Sequence, residues 1–203
     1  MATKYTTNEF VLLYGICDLV WVDITTVHCT IRGEFIDVVT YHKDKVVTTF
    51  SIILHEDKWV LHGEYNRIIN NCSKRYYRYG MRHCEDGPAI IKYFDGIKYR
   101  NEWYKNGKLH RENGPACEEW YDNGLIREQT WYLNGMKHRE DGPACIYYYK
   151  SGTLNVSRWY YNDKYHREDG PACSIYNAAG GLISTEWYYN GKMYEPVLTK
   201  RAL

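Results

Sequence analysis

His138–Cys145 reads HREDGPAC, and the same string returns at His166–Cys173. His110–Cys117 is HRENGPAC, and His83–Ile90 is HCEDGPAI. From His83 to His110, His138 and His166 the steps are 27, 28 and 28 residues. Trp103, Trp131, Trp159 and Trp187 run in phase, each followed by a tyrosine: Tyr104, Tyr132, Tyr160 and Tyr188. Gly96, Gly124, Gly152 and Gly180 are a third series at the same step, so the missing residue lies between Gly87 and Gly96. Self-similarity at a fixed period of this size is the signature of a repeat architecture, and it decides the fold before any local propensity does.

The third copy shows what a period is made of. Ala144–Tyr149 (ACIYYY) reads as a strand and Lys150-Ser151-Gly152 as a turn. Thr153–Tyr161 (TLNVSRWYY) reads as a second strand and Asn162-Asp163 as a second turn, after which Lys164–Glu168 leads into the next corner. Aromatic and β-branched runs between polar turn residues are the strand signature. The equivalent turns elsewhere are Asn106-Gly107, Asn134-Gly135 and Asn190-Gly191. Asn-Gly suits a two-residue hairpin loop because both central residues there take positive φ. Pro88, Pro115, Pro143 and Pro171 follow glycine at the corners. Proline lacks an N–H, so it belongs at a strand start or a bulge. The expectation is an all-β chain: an extended, twisted antiparallel meander of double-strand repeats, with two strands per period and about ten in all. The array occupies residues 75–195 in about four to four and a half copies, and 196–203 form a C-terminal tail.

Residues 1–74 lack the repeat markers. Thr6-Thr7-Asn8-Glu9 opens either a short helix through about Leu19 or a buried strand. From Trp21 the β-branched content rises in four runs, ITTVHCTI, EFIDVVTY, VVTTFSIIL and KWVLHGEY, separated by short polar turns. This is a meander, and a small, mostly β region that caps one open edge of the array is expected, since open edges invite pairing with other chains. Ile68–Ser73 joins the two parts, and Pro196 with Lys200-Arg201 reads as a stop at the far edge.

Composition narrows the function classes. Twenty-six basic and 25 acidic residues give a net charge of +1, well mixed along the chain. That balance offers no electrostatic footprint for nucleic acid or anionic lipid. Tyrosine is extreme at 22, beside 7 Trp and 4 Phe. Tyr and Trp pair an apolar body with a polar tip and suit half-wet sheet faces and interfaces. Phe10–Cys17 is apolar but ends at Asp18, too short for a membrane span and without a cleavage site, so neither secretion nor membrane insertion is expected. The seven cysteines then read as reduced thiols of an intracellular or particle-associated chain.

The repeated polar residues invite chemical readings that spacing argues against. Positions one period apart lie two strands apart, roughly 9–10 Å in a flat ladder. Zinc ligands must lie within about 4 Å of one another, so His110, His138 and His166 are not expected to share an ion. Cys117, Cys145 and Cys173 are too far apart for disulfides with each other and read as small apolar fillers. Glu140-Asp141 and Glu168-Asp169 lack the cluster of oxygens that calcium requires; an Arg/Glu ladder across neighbouring corners is the expected use of these charges. No nucleophile-elbow, zincin, P-loop or dinucleotide motif is present. Catalytic sites are unique constellations, whereas these polar residues are copied four times, so no enzyme, cofactor or metal site is expected. Residues adjacent on a strand face opposite sides. The tryptophans and the tyrosines Tyr104, Tyr132, Tyr160 and Tyr188 are therefore expected as stripes on opposite faces. The uncovered stripe marks either a protein interface or simple cross-strand packing, and the tyrosines are taken as the partner-binding candidates.

Tyr99–His110 (YRNEWYKNGKLH) resembles the MORN repeat in its Tyr, Trp, Asn-Gly-Lys and His. Gln129–His138 (QTWYLNGMKH) and Glu186–Lys192 (EWYYNGK) match in part. The fuller form, WYxNGKxHREDGPA, is similar to the divergent MORN-type repeats of giant DNA viruses of amoebae and of some large phages. The likeness covers Tyr76–Glu195. It departs from the family pattern in carrying Arg111, Arg139 and Arg167 after the His, one extra residue before Asn-Gly, and Asp163 for Gly. The resemblance implies a twisted antiparallel sheet used as a scaffold or docking surface without catalysis. On it rests the expected function: a structural protein that docks protein partners, with a minor virion component, a homo-oligomer or a capsid-associated assembly as its setting, in host cytoplasm or particle. The alternative is a cytosolic adaptor that binds one host protein.

Overall fold

A computed structural model describes residues 2–5, 26–43, 45–56, 58–67 and 73–195. The expected helix or strand over Thr6–Leu19, most of the join Ile68–Ser73 and the Pro196–Arg201 stop lie outside the described residues. Every regular element among those described is a strand, and the strands follow one another in meander order with antiparallel pairing. The chain divides into two compact units, Met1–Lys108 and Leu109–Leu203.

The first unit carries β1 (Ala2–Tyr5), β2 (Thr26–Arg32), β3 (Phe35–His42), β4 (Lys45–His55), β5 (Lys58–Leu61), β6 (Gly63–Arg67), β7 (Ser73–Arg78), β8 (Met81–Arg82), β9 (Ile90–Phe94), β10 (Ile97–Glu102) and β11 (Tyr104–Lys105). Its sheet runs β1-β2-β3-β4-β6-β7-β9-β10, with β5 paired to β4 and β8 to β7. One face of β2, β3 and β4 alternates apolar and buried, as the period of two in a strand requires. Val27, Cys29, Ile36, Val38, Phe50 and Ile52 form that core, with Trp59, Leu61 and Tyr65 packed against it. Thr40 and Thr48 extend it as a buried polar pair: their hydroxyls lie 2.6 Å apart, and the Thr48 N–H donates to Thr40 Oγ1. Burial pushes the Cys29 thiol up to about 11. The sequence run KWVLHGEY is not one strand. It breaks at His62, whose N–H reaches back to the Ser51 carbonyl at 3.0 Å, and β4 is shared between β5 near its end and β6 further back.

Next in the chain is β12 (Lys108–Leu109), the hairpin partner of β11. The second unit continues with β13 (Cys117–Trp120), β14 (Ile126–Thr130), β15 (Tyr132–Leu133), β16 (Met136–Lys137), β17 (Cys145–Tyr148), β18 (Leu154–Arg158), β19 (Tyr160–Tyr161), β20 (Lys164–Tyr165), β21 (Cys173–Tyr176), β22 (Leu182–Glu186), β23 (Tyr188–Tyr189) and β24 (Lys192–Met193). Its main sheet runs β13-β14-β17-β18-β21-β22, while β15-β16, β19-β20 and β23-β24 are separate two-stranded hairpins.

Each period therefore holds four strands, not the two expected. The segment read as one strand, Thr153–Tyr161, splits at Trp159. Asn162 and Asp163 both take positive φ, as a two-residue hairpin turn requires. Such a turn pairs its immediate flanks, Tyr161 with Lys164 and Tyr160 with Tyr165. Residues Val156–Arg158 are meanwhile paired with β17 and β21. One straight strand cannot serve both ladders, so the chain leaves the sheet at the tryptophan. The Trp159 N–H donates to the Ala172 carbonyl at 2.7 Å, and its carbonyl accepts from the His166 N–H at 3.2 Å; Trp131 repeats this with Ala144 and His138.

Candidate functional site

The small hairpins are joined in series by a recurring set of bonds. The second turn residue donates its N–H to the hairpin before it: Gly107 to Arg82 O in the first unit, then Gly135 to Leu109 O, Asp163 to Lys137 O and Gly191 to Tyr165 O in the second, all at 2.8–2.9 Å. Coming back, the corner N–H of Arg111, Arg139 and Arg167 donates to the carbonyl of Tyr132, Tyr160 and Tyr188 in the next hairpin at 3.1–3.3 Å. The corner histidine completes the joint. His83, His110 and His166 accept at Nδ1 from the backbone N–H of Asn106, Asn134 and Asn190, each at 3.1 Å. At the remaining joint, third along the chain, Asp163 stands where the others have glycine. There Lys137 N–H donates to the Asp163 carboxylate at 2.8 Å, and His138 Nδ1 lies 2.8 Å from the Asn162 side chain.

Inside the second unit these hairpins lie over the main sheet. Cys117, Thr130, Cys145, Arg158, Cys173 and Glu186 are successive cross-strand partners, so one row crosses the sheet. The cysteines are buried thiols, as their filler role anticipated. Burial pushes the Cys145 thiol up and Tyr147 up to about 12. Ala144, Cys145 and Tyr160 make a core cluster, closed by Trp131, Tyr147 and Tyr165. Trp131 and Tyr160 thus pack into one cluster, and the premise that Trp and Tyr stripes face opposite sides of a single strand does not hold: the tryptophan is the corner between two strands.

The tyrosines singled out in the sequence point inward. Tyr160 is 9% exposed, and Tyr104, Tyr132 and Tyr188 are half-buried. Tyr160 and Tyr188 both stack on Tyr165, at centroid distances of 4.4 and 5.0 Å. Burial pushes the Tyr132 and Tyr160 hydroxyls up. In the first unit Tyr104 donates to Glu102 at 3.1 Å and lies under the Arg82 guanidinium.

After Tyr104, Tyr160 and Tyr188 the next residue is exposed, while Leu133 after Tyr132 is half-buried. Tyr161 is 44% and Tyr189 50% exposed. They interleave with the corner histidines in one column: His138 to Tyr161 4.7 Å, Tyr161 to His166 5.8 Å, His166 to Tyr189 4.8 Å. Strand alternation puts Tyr160 and Tyr161 on opposite faces of their hairpin, and the docking of that hairpin decides which face is inward. The Trp-Tyr periodicity marks the inner member of each pair.

Between successive corners lie two equivalent open grooves. One, of about 520 Å³, is floored by Trp131, Tyr132 and Leu133 and walled by the corners at Arg111–Gly114 and His138–Asp141. The other, of about 460 Å³, is floored by Trp159, Tyr160 and Tyr161 and walled by the corners at Arg139–Asp141 and His166–Asp169. The arginines lie in the walls. Arg139 stacks on Trp131 at 4.1 Å and Arg167 on Trp159 at 4.2 Å. Each also donates to its own corner, Arg139 to Asp141 at 2.8 Å and to the Pro143 carbonyl at 3.4 Å, Arg167 to Asp169 and Pro171 in the same way. The arginine bonds hold the Asp141 and Asp169 carboxyls below their ordinary range. For Arg139 and Arg167, the ladder expected across neighbouring corners is instead a pairing closed within each corner. Among the described residues no three His, Cys, Asp or Glu side chains converge as a metal site, and no helix is long and apolar enough to cross a membrane. What this geometry offers is a repeated surface for stacking, hydrogen bonding and charge pairing.

No family model matches the chain, and neither a curated protein nor a solved structure does.

Proposed function

We propose that this chain is a non-enzymatic scaffold that docks protein partners along its repeat face, through the outer column of Tyr161 and Tyr189. The observation that carries this reading is that column of half-exposed rings held in fixed register by the corner histidines. Exposed aromatic rows of this kind are enriched at protein interfaces. A rigid tyrosine loses little conformational freedom on contact, which favours it as an anchor. The inward tyrosines Tyr104, Tyr132, Tyr160 and Tyr188 support the surface from beneath, by stacking and burial. A place as a minor component of a viral particle rests on the resemblance of the repeats.

The test is cross-linking with mass spectrometry on the wild-type chain and on a Tyr161→Ser/Tyr189→Ser variant whose thermal unfolding matches wild type. Loss of stoichiometric neighbours in the variant supports the docking column, and unchanged neighbours remove it. Constant stoichiometry to capsid protein in purified particles supports the virion setting, and absence from particles opposes it.

A further inference from the structure

Resting on that scaffold reading, we propose the chemistry of one partner: an extended, proline-rich segment with a basic residue at every third position, lying along the corner grooves of the second unit. Three observations meet here.

First, charge is sorted by depth. The Arg139 side chain is 24% exposed, while Asp141, which it holds, is 84% exposed. Arg167 and Asp169 repeat the arrangement, and Glu140 and Glu168 project beside them, each under 4 Å from its own histidine. The cations are tucked against tryptophan and the carboxylates stand outermost. A partner travelling along the corners meets an anionic crest, although the whole chain is close to neutral.

Second, the groove floors are largely aromatic: Trp131, Tyr132 and Leu133 in one, Trp159, Tyr160 and Tyr161 in the other. Trp and Tyr floors of about 520 and 460 Å³ take a proline ring or two, not a helix, which is about 10–12 Å across with its side chains. Aromatic-lined grooves are the setting in which pre-extended proline-rich segments bind at low entropic cost.

Third, the spacing selects the period. Successive corners lead into main-sheet strands that lie two apart, as Cys145 and Cys173 do through Arg158, about 9–10 Å in a flat ladder. A polyproline II segment advances about 3.1 Å per residue and repeats every three, so its equivalent side chains recur every ~9.3 Å. A β-strand repeats on one face every ~6.7 Å and falls out of step after one corner. The segment therefore sets a basic side chain against Glu140 and the next against Glu168, with proline over each groove floor between them.

The experiment is fluorescence anisotropy with a labelled peptide of about fifteen residues built from Arg-Pro-Pro units, titrated with the full chain. An isomer with the arginines gathered at one end and a Glu-Pro-Pro peptide are the controls. Saturable binding of the periodic peptide, at least about fivefold tighter than the clustered isomer, is expected. Glu140→Gln/Glu168→Gln is expected to weaken it on the order of tenfold. Both carboxylates are exposed, so this variant keeps its fold, and Tyr161→Ser tests the groove floor separately. Equal affinity for the two arginine isomers, or affinity unchanged in the Gln variant, overturns the proposal. If no peptide binds while cross-linked neighbours still depend on Tyr161 and Tyr189, the segment is wrong and the scaffold reading stands.

Discussion

The Nδ1 atom of His110 accepts a hydrogen bond from the backbone N–H of Asn134, one repeat further along, at 3.1 Å. The Asn134 N–H is the first donor of a hairpin turn with positive φ at both central residues, and the next, that of Gly135, donates to the Leu109 carbonyl. One imidazole and one carbonyl thus dock each turn onto the corner before it, which explains why the His and the Asn recur in phase.

Replacing His110 or His166 by phenylalanine keeps a ring of similar size and removes Nδ1. Each change is expected to cost about 0.5–1.5 kcal/mol and to lower Tm by about 2–4 °C per kcal/mol. His138→Phe is expected to cost less, because its Nδ1 faces the Asn162 side chain, not a backbone donor. Thermal unfolding followed by circular dichroism compares the three.

A methyl group on Gly142 would meet the Arg139 guanidinium carbon at 2.7 Å. The long side chain can swing away, but it then leaves the Trp131 ring and the Pro143 carbonyl. Gly142→Ala is expected to destabilise by about 1 kcal/mol, the sum of a cation–π contact and a hydrogen bond at a partly exposed site. In an Arg139→Ala background the same change is expected to be neutral. A double-mutant cycle by urea denaturation measures the difference.

Glu102 is buried in the first unit, with Arg100 Nε at 2.6 Å, Lys92 Nζ at 3.1 Å and the Tyr104 hydroxyl at 3.1 Å. Burial raises its pKa, but the bonds from Arg100 and Lys92 outweigh burial, and the net shift is downward from 4.5. The folded state therefore binds this proton less readily than the unfolded chain does. The stabilisation is fully present above the ordinary glutamate range and is lost as pH falls through the lower folded value. Glu102→Gln is expected to lose about 1–3 kcal/mol at neutral pH and to flatten the fall in stability on acidification. Urea midpoints measured from pH 7 to pH 3 check both statements.

Tyr160 and Tyr161 are neighbours with opposite fates. Tyr160→Ser empties part of the cluster around Ala144 and Cys145 and is expected to cost about 3–5 kcal/mol, the range for loss of a large buried aromatic. Tyr161→Ser removes an outward ring and is expected to stay within about 1 kcal/mol of wild type. Chemical denaturation of the two variants separates them.

The spacing of HREDGPAC, Trp-Tyr and Asn-Gly was sufficient to place an all-β repeat array, because period and turn chemistry are local. A two-residue turn such as Asn134-Gly135 is committed by its own φ values, whatever surrounds it. The N-terminal runs were legible for the same reason, apart from the break at His62, where one long strand is shared by two partners. The candidate surface was less legible. Tyr160 and Tyr161 carry the same side chain in the same strand, and nothing in composition says which faces the sheet.

Sequence by itself determined the all-β class, the repeat and its turns, since these follow from backbone preferences within a few residues. Tertiary structure decided that the chain leaves the sheet at each tryptophan and which tyrosine is buried. It also decided that each corner arginine is tucked under an exposed carboxylate. The exit at the tryptophan and the docking of the hairpins depend on partners far away in the chain: Trp131 N–H on the Ala144 carbonyl, the Arg139 N–H on the Tyr160 carbonyl, the Asn134 N–H on His110. A hydrogen bond or a stack between distant residues is chosen by geometry, and that geometry exists only once the hairpins have docked.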